Sequence, residues 1–211
     1  MSEQDIAIVK ALVENSAVKK ALKEICDDIG AGGTPNRKIS EYWDSPDYKW
    51  VKNGEVKNNI VLDTEEHISQ AGLDGSSAKL IPANSIMFAM YCVSDPQLAI
   101  NIEPCTTNQA VCSLMIKDFD LMCFVYYYMQ AYGIALTKLA NGAAQQNLNK
   151  GMIEAFEVVL PELEDIKSTP IASHIRYRIG LTKENARLTE LRDSLLPKLM
   201  SGELDVSELA I

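Results

Sequence analysis

The sequence predicts an α+β protein: a mixed β-sheet domain with packed helices, followed by a long C-terminal helix that pairs as an antiparallel coiled coil. Three observations carry this. Between about residues 40 and 120, short runs of β-branched and apolar residues alternate with turn residues. Residues 119–132 are apolar nearly all round, the pattern of a helix buried against a sheet. Leu181, Leu188, Leu191, Leu195 and Leu199 recur at spacings of seven, three, four and four, which lines them along one helix face with Arg187, Glu190, Arg192 and Asp193 outside it.

Taken in order, Ile6, Val9, Leu12 and Val13 predict a short amphipathic helix ahead of Asn15-Ser16, its apolar face suited to docking on the C-terminal helix. Gly30-Ala31-Gly32-Gly33-Thr34-Pro35 predicts a loop, because its glycines admit close backbone approach and Pro35 fixes an extended turn. The Gly-Lys-Ser/Thr ending of a phosphate-binding loop is missing, as is a preceding strand with dinucleotide-fold spacing. Strands are predicted at 50–51, 60–62, 78–81, 86–92, 98–102 and 110–116, with turns at Asn53-Gly54, Asp74-Gly75 and Pro82-Ala83-Asn84. One short helix interrupts them, with Asp63 as N-cap, Glu66 completing a capping box and Gly72 as the stop.

In the buried helix, Tyr126, Tyr127 and Tyr128 are expected to pack in the core, with one ring at its rim, rather than to stack on bases. The loop 141–147, rich in Gly, Asn and Gln, carries the donors and acceptors that read base edges and that also keep surface loops soluble. After Pro161 the composition turns charged and helical. Thr169-Pro170 opens a helix in a cap-then-Pro arrangement, and it runs to about Leu199 with Gly180 and Pro197 as weak points and a Pro/Gly stop. Thirty residues at 1.5 Å each make an arm of roughly 45 Å. The organisation is a helix at 1–15, a domain at 16–161 and a helical region at 162–211.

With 47% hydrophobic and 23% charged residues, 211 residues suffice for one core, or for a domain plus a protruding arm. No apolar run approaches the roughly 20 residues of a membrane helix, and a basic-then-apolar leader is missing, so the expected location is cytoplasmic, away from membranes. The five cysteines are odd in number, form no Cys-x-x-Cys pair and have only His67 and His174 as imidazole partners; reduced, mostly buried thiols are expected, with no metal and no cofactor. The net charge of −9 divides into −2 over 1–30, −3 over 31–150 and −4 over 151–211, which argues against nonspecific polyanion binding. Arg37, Lys38, Lys49, Lys52 and Lys57 nevertheless gather in one loop-rich region, either a patch for phosphates or a solvated face.

The sequence carries no recognisable catalytic constellation. Asp95-Pro96-Gln97 does not make the Asp/Asn-Pro-Pro-aromatic tetrapeptide of amine methylation, and neither a Gly-x-Ser-x-Gly elbow nor a His-Glu-x-x-His motif occurs. Glu154, Glu157, Glu162, Glu164 and Asp165 flank a predicted helix without a histidine or apolar pocket, as on a solvated face. Besides a DNA-reading module, two other classes fit: a dimeric protein-interaction adaptor, favoured by the acidic charge, and an enzyme with an unrecognised site, which labelled methyl-donor incorporation would reveal.

Five motifs occur in a fixed order: Gly32-Gly33-Thr34-Pro35 with Glu41-Tyr42-Trp43 and Trp50-Val51; SSAKLIPANSIMFAMY from Ser76; TTNQAV from Thr106; Leu148-Asn149-Lys150 before Leu160-Pro161; and RLTELRDSLLPKLMSGEL from Arg187. Together they resemble the DNA-specificity subunits of type I restriction-modification systems, over nearly the whole chain. The chain departs from that pattern after Glu162, where ELEDIKSTPIASHIRYRIGL replaces the usual Glu-Gln-rich start of the spacer helix. The resemblance implies a non-catalytic subunit whose target-recognition domain reads half of a bipartite site in double-stranded DNA. It also implies a helix that docks DNA methyltransferase subunits, and with them the restriction subunit. Such subunits carry two recognition domains in tandem, whereas this sequence holds one without internal repeat, so a homodimer through the C-terminal helix is expected. The residues expected to contact DNA are Thr34, Arg37, Lys38, Ser76, Ser77, Lys79, Thr107, Asn108, Asn147 and Asn149, with Thr107 and Asn108 equally readable as turn framework.

Overall fold

A computed structural model describes residues 2–91, 95–142 and 147–203. Helix α1 (Ser2–Glu14) leads to strand β1 (Lys19–Ala21), the one-turn helix α2 (Leu22–Ile25) and strand β2 (Asp28–Ala31). Strands β3 (Tyr48–Val51), β4 (Asn59–Val61) and β5 (His67–Ile68) precede helix α3 (Gln70–Asp74), and β6 (Ile86–Ala89), β7 (Leu98–Asn101), β8 (Thr106–Thr107) and β9 (Val111–Met115) follow it. Helices α4 (Phe119–Tyr132), α5 (Ile134–Gly142) and α6 (Lys150–Glu154), strand β10 (Glu157–Val159), helix α7 (Leu163–Lys167) and the thirty-residue α8 (Ile171–Met200) complete the chain order.

Three sheets organise these elements. The largest runs β2-β9-β6-β7-β4, antiparallel except for the parallel β4–β7 pair. A second, β5-β3-β8, is antiparallel on one side of β3 and parallel on the other. Strands β1 and β10 form a two-stranded ribbon. The five-stranded sheet is buried on both faces, which explains why its strands read as continuous apolar runs. Ile86, Phe88, Leu98, Ile100, Cys112 and Leu114 face α4 and the main core, while Met87, Ala89, Ala99 and Val111 face a smaller cluster with Val51, Val56, Ile81 and Cys105. Helix α4 starts where Asp118 accepts from the Leu121 N–H (2.9 Å), and its residues 122–129 are buried, including all three consecutive tyrosines; none of those rings is at the rim.

Several local expectations are corrected. The helix expected from Asp63 begins six residues later: Ser69 is the N-cap of α3, its hydroxyl accepting from Gly72 N, while Asp63 bonds His67. Residues 64–68 are drawn into pairing with β3, where the Glu66 carbonyl accepts from Trp50 N. At 78–81 only Ile81 pairs, as an isolated bridge to Cys105. Gly30 and Ala31 belong to β2, so the loop begins at Gly32. Gly142 ends α5, and the rest of the expected loop up to residue 146 lies outside the described residues.

The two terminal helices also differ from expectation. The apolar face of α1 packs chiefly on α4, and among the described residues Asp5 of α1 also makes a polar contact with His174 of α8. Thr169 does not cap α8; its hydroxyl donates to the Ile166 carbonyl at the end of α7, and Pro170 occupies the cap position. Pro197 lies inside the last turns without ending the helix, and the stop comes at Gly202, whose φ of 74° is left-handed. The leucine seam on α8 has no partner helix among the described residues: Leu181, Leu188, Leu191, Leu195 and Leu199 are 38–51% exposed. Among the described residues no helix is long and apolar enough to cross a membrane.

Candidate nucleic-acid interface

Strand β2 ends, β9 begins and β6 ends at one edge of the five-stranded sheet, where Ala31 pairs with Cys112 and Ala89 with Val111. The loops leaving this edge are tied to one another by backbone bonds. Gly33 N donates to the Thr107 carbonyl (2.9 Å), Gly32 N to Val111 (3.2 Å), and Leu148 N to Met90 (3.1 Å), next to the Met90–Ala110 bond. The two glycines are required by this approach: a Cβ at Gly32 would lie 2.2 Å from the Thr107 carbonyl oxygen, and one at Gly33 would lie 2.3 Å from Ser77 Oγ. Trp50 is buried beneath, its Nε1 donating to the Gly33 carbonyl at 2.9 Å.

Arg37 lies across this platform. Its guanidinium sits 3.7 Å from the Trp43 ring centre and 4.9 Å from that of Trp50, the two indoles packing edge to face at 5.1 Å. Both Arg37 terminal nitrogens bond the Glu66 carboxylate, which also faces Lys52 at 3.3 Å. These donors, Arg37 first, hold the Glu66 carboxyl below its ordinary range. Lys52 bonds Glu65 as well, at 2.6 Å, and Lys49 bonds Glu103. Three members of the basic cluster are therefore already paired with glutamates. For Lys38 and Lys57, both exposed, no ion pair is found among the described residues.

The expected contact residues divide accordingly. Thr34 is exposed and donates its hydroxyl proton to Gln109 Oε1; Ser77, Lys38 and Lys79 are also exposed, Lys79 on the rim of a small pocket with Gly32 and Thr107. Thr107 is fully buried and serves the framework through its carbonyl, and Asn108 closes a turn by accepting from Ala110 N (3.2 Å). Ser76 likewise accepts from Ala78 N (3.1 Å), and Asn149 caps α6 by accepting from Met152 N (3.0 Å). Asn147 is exposed at the same end. Sequence reasoning did not single out Gln109 or Tyr91, both exposed here; for Tyr91 the only signal was an aromatic at the end of an apolar strand run.

Among the described residues no three His, Cys, Asp or Glu side chains are grouped to hold a metal ion. Cys26, Cys105 and Cys112 are free thiols whose pKa values burial pushes up to about 12, which disfavours the thiolate form needed of a nucleophile or ligand.

The model of the type I restriction modification DNA specificity domain matches residues 15–179. The chain is 30% identical over 192 residues to the type I restriction enzyme HindI specificity subunit of Haemophilus influenzae, covering 88% of this chain and 41% of that protein. It is 26% identical over 151 residues to the EcoR124I/EcoR124II specificity subunit of Escherichia coli, covering 69% and 37%. The chain thus spans about two fifths of the length of these curated relatives. The same fold occurs in the S subunit of a type I system from M. genitalium (TM-score 0.55, 12% identity, 94% of this chain and 57% of that one). It also occurs in the HsdS subunit of Thermoanaerobacter tengcongensis (TM-score 0.53, 16% identity, 96% and 52%).

Proposed function

Because the chain belongs to the type I restriction modification DNA specificity family, we propose that it is a non-catalytic subunit that reads one half of a split site in double-stranded DNA. The loop end of the five-stranded sheet meets the DNA, with Lys38 and Lys79 toward phosphates and Thr34, Ser77, Gln109 and Asn147 toward base edges. Helix α8 docks the methyltransferase subunits, which bring the chemistry and the restriction subunit, and pairs with a second copy to supply the other half-site reader. The observation that carries this reading is the coexistence, in one chain, of a tied loop platform and a thirty-residue helix whose leucine stripe is exposed. A 45 Å arm spans about thirteen base pairs at 3.4 Å each, a separation suited to a split site.

Selection from random DNA by the chain with methyltransferase subunits tests it. The expected product is two short specified segments, related by twofold symmetry, around an unspecified spacer; enrichment of one contiguous motif overturns the split-site reading. The chain alone is expected to transfer no label from a methyl donor to DNA.

The pairing of Arg37, Lys49 and Lys52 with glutamates favours a second reading, a dimeric adaptor that binds only protein. Absence of DNA binding both with and without partner subunits would select it.

A further inference from the structure

The root of α8 meets the domain through two kinds of contact. Ile171, Ala172 and Ile175 are buried in the main core, and apolar packing of this kind tolerates small rotations and slides. On the same helix, His174 and Arg178 are one turn apart and make directional contacts instead. His174 Nδ1 lies 2.6 Å from Oδ1 of Asp5, a fully buried carboxylate on α1 whose other oxygen has no hydrogen-bond partner among the described residues. Arg178 donates to the Tyr127 hydroxyl on α4 (3.1 Å) and to the Asn58 carbonyl (3.3 Å). Asn58 has a left-handed φ of 55°, and its side-chain oxygen accepts from Leu98 N at the start of β7 (3.1 Å) and from Gln130 of α4 (3.3 Å). The arm is thereby bonded to α1, to α4 and, through Asn58, to the edge of the five-stranded sheet.

Beyond Arg178 the contact thins out. Thr182 and Ala186 are half-buried where they line a cleft opposite β4, and residues 187–200 are all exposed.

We propose that His174 and Arg178 are positioning residues, a two-point clamp that sets the direction of α8 relative to the recognition domain. The purpose rests on the reading of α8 as a spacer; the clamp itself does not. From Arg178 to Met200 the helix extends about 33 Å, so a rotation of about 10° at the clamp would carry its tip by about 6 Å, close to two base-pair steps. Apolar packing at the root holds the helix on the domain, and the polar pair selects one orientation among those the packing would accept. Arg178 suits this task because its planar fork reaches a hydroxyl on one element and a carbonyl on another.

The test is the distance distribution between nitroxides on Cys introduced at Asp44 and at Glu190, both exposed, measured on the full chain diluted with unlabelled chain. The clamp predicts a narrow distribution for the parent and a broadened or displaced one for R178Q and R178K, with the melting temperature little changed. R178K keeps the charge and loses the fork, and it carries the test should R178Q not fold. A broad parent distribution, or variants as narrow and centred as the parent, overturns the clamp. A purely structural role would instead lower the melting temperature and leave the distance unmoved. No DNA enters the measurement, so failure of the DNA-reading proposal would show in the selection and not here.

Discussion

At the loop end of the sheet the loops are tied by backbone bonds; along the outer half of α8, the leucines have no partner among the described residues. The loop end is held by two glycines pressed against neighbouring backbone, an indole bonded to a carbonyl, and a guanidinium locked between two indoles and a carboxylate. Such a surface is pre-ordered before a ligand arrives, so binding costs it little conformational entropy. The arm shows the reverse: a row of half-exposed leucines along one helix face. On the proposed reading one chain carries a pre-ordered DNA-facing surface and an exposed assembly surface, and changes to each should register in different experiments.

The largest effect on the folded domain is expected from Phe88→Ala, which empties a fully buried site between sheet and α4 and should cost about 3–5 kcal/mol in denaturant unfolding. An equal loss from a change in the outer half of α8 would erase the contrast between the two regions. Gly33→Ala forces a Cβ against Ser77 and should cost about 1–3 kcal/mol, while loosening the loops that carry Thr34 and Ser77. Lys38→Ala should lower the salt dependence of DNA binding by about one unit of slope, whereas Arg37→Ala, removing a cation already neutralised by Glu66, should leave the slope nearly unchanged. Equal slopes for both variants would mean that Arg37 leaves Glu66 for a phosphate.

The smallest effect concerns acid. Glu66 has its folded pKa depressed below the ordinary 4.5, first by Arg37, so its contribution is present above that value and is lost as pH falls through the lower folded value. Glu66→Gln should flatten the acid limb of stability below about pH 4.5 by under about 1 kcal/mol, and an unchanged limb would remove Glu66 from the platform's energetics.

What the sequence shows and what it hides follow from how local each cause is. Helix α4 was legible to the residue because its apolar content surrounds the whole helix and Asp118 caps it locally. Strands β6, β7 and β9 were legible because burial on both faces writes continuous apolar runs. The ribbon of β1 and β10 was not, since its three residues on each side, Lys19–Ala21 and Glu157–Val159, are joined by pairing across the whole domain. The misplaced helix at Asp63 has the same origin: Glu66 looks like a capping residue, yet Arg37 and Lys52 claim it from elsewhere. At the candidate site, residue type singled out loops without separating the roles of the residues within them. Thr107 is buried and ties the loops through its backbone carbonyl, Asn108 spends its side-chain oxygen on a turn, and Gln109 beside them is the exposed one.

The central claim, that the reading surface is complete in one chain and the assembly surface is not, is tested most directly by light scattering on the parent and L188E/L195E. The account predicts a parent at twice the 23.3 kDa chain mass and a double variant at the single-chain mass with an unchanged melting temperature. A parent that stays monomeric with its seam exposed, or a double variant that remains dimeric, would contradict it.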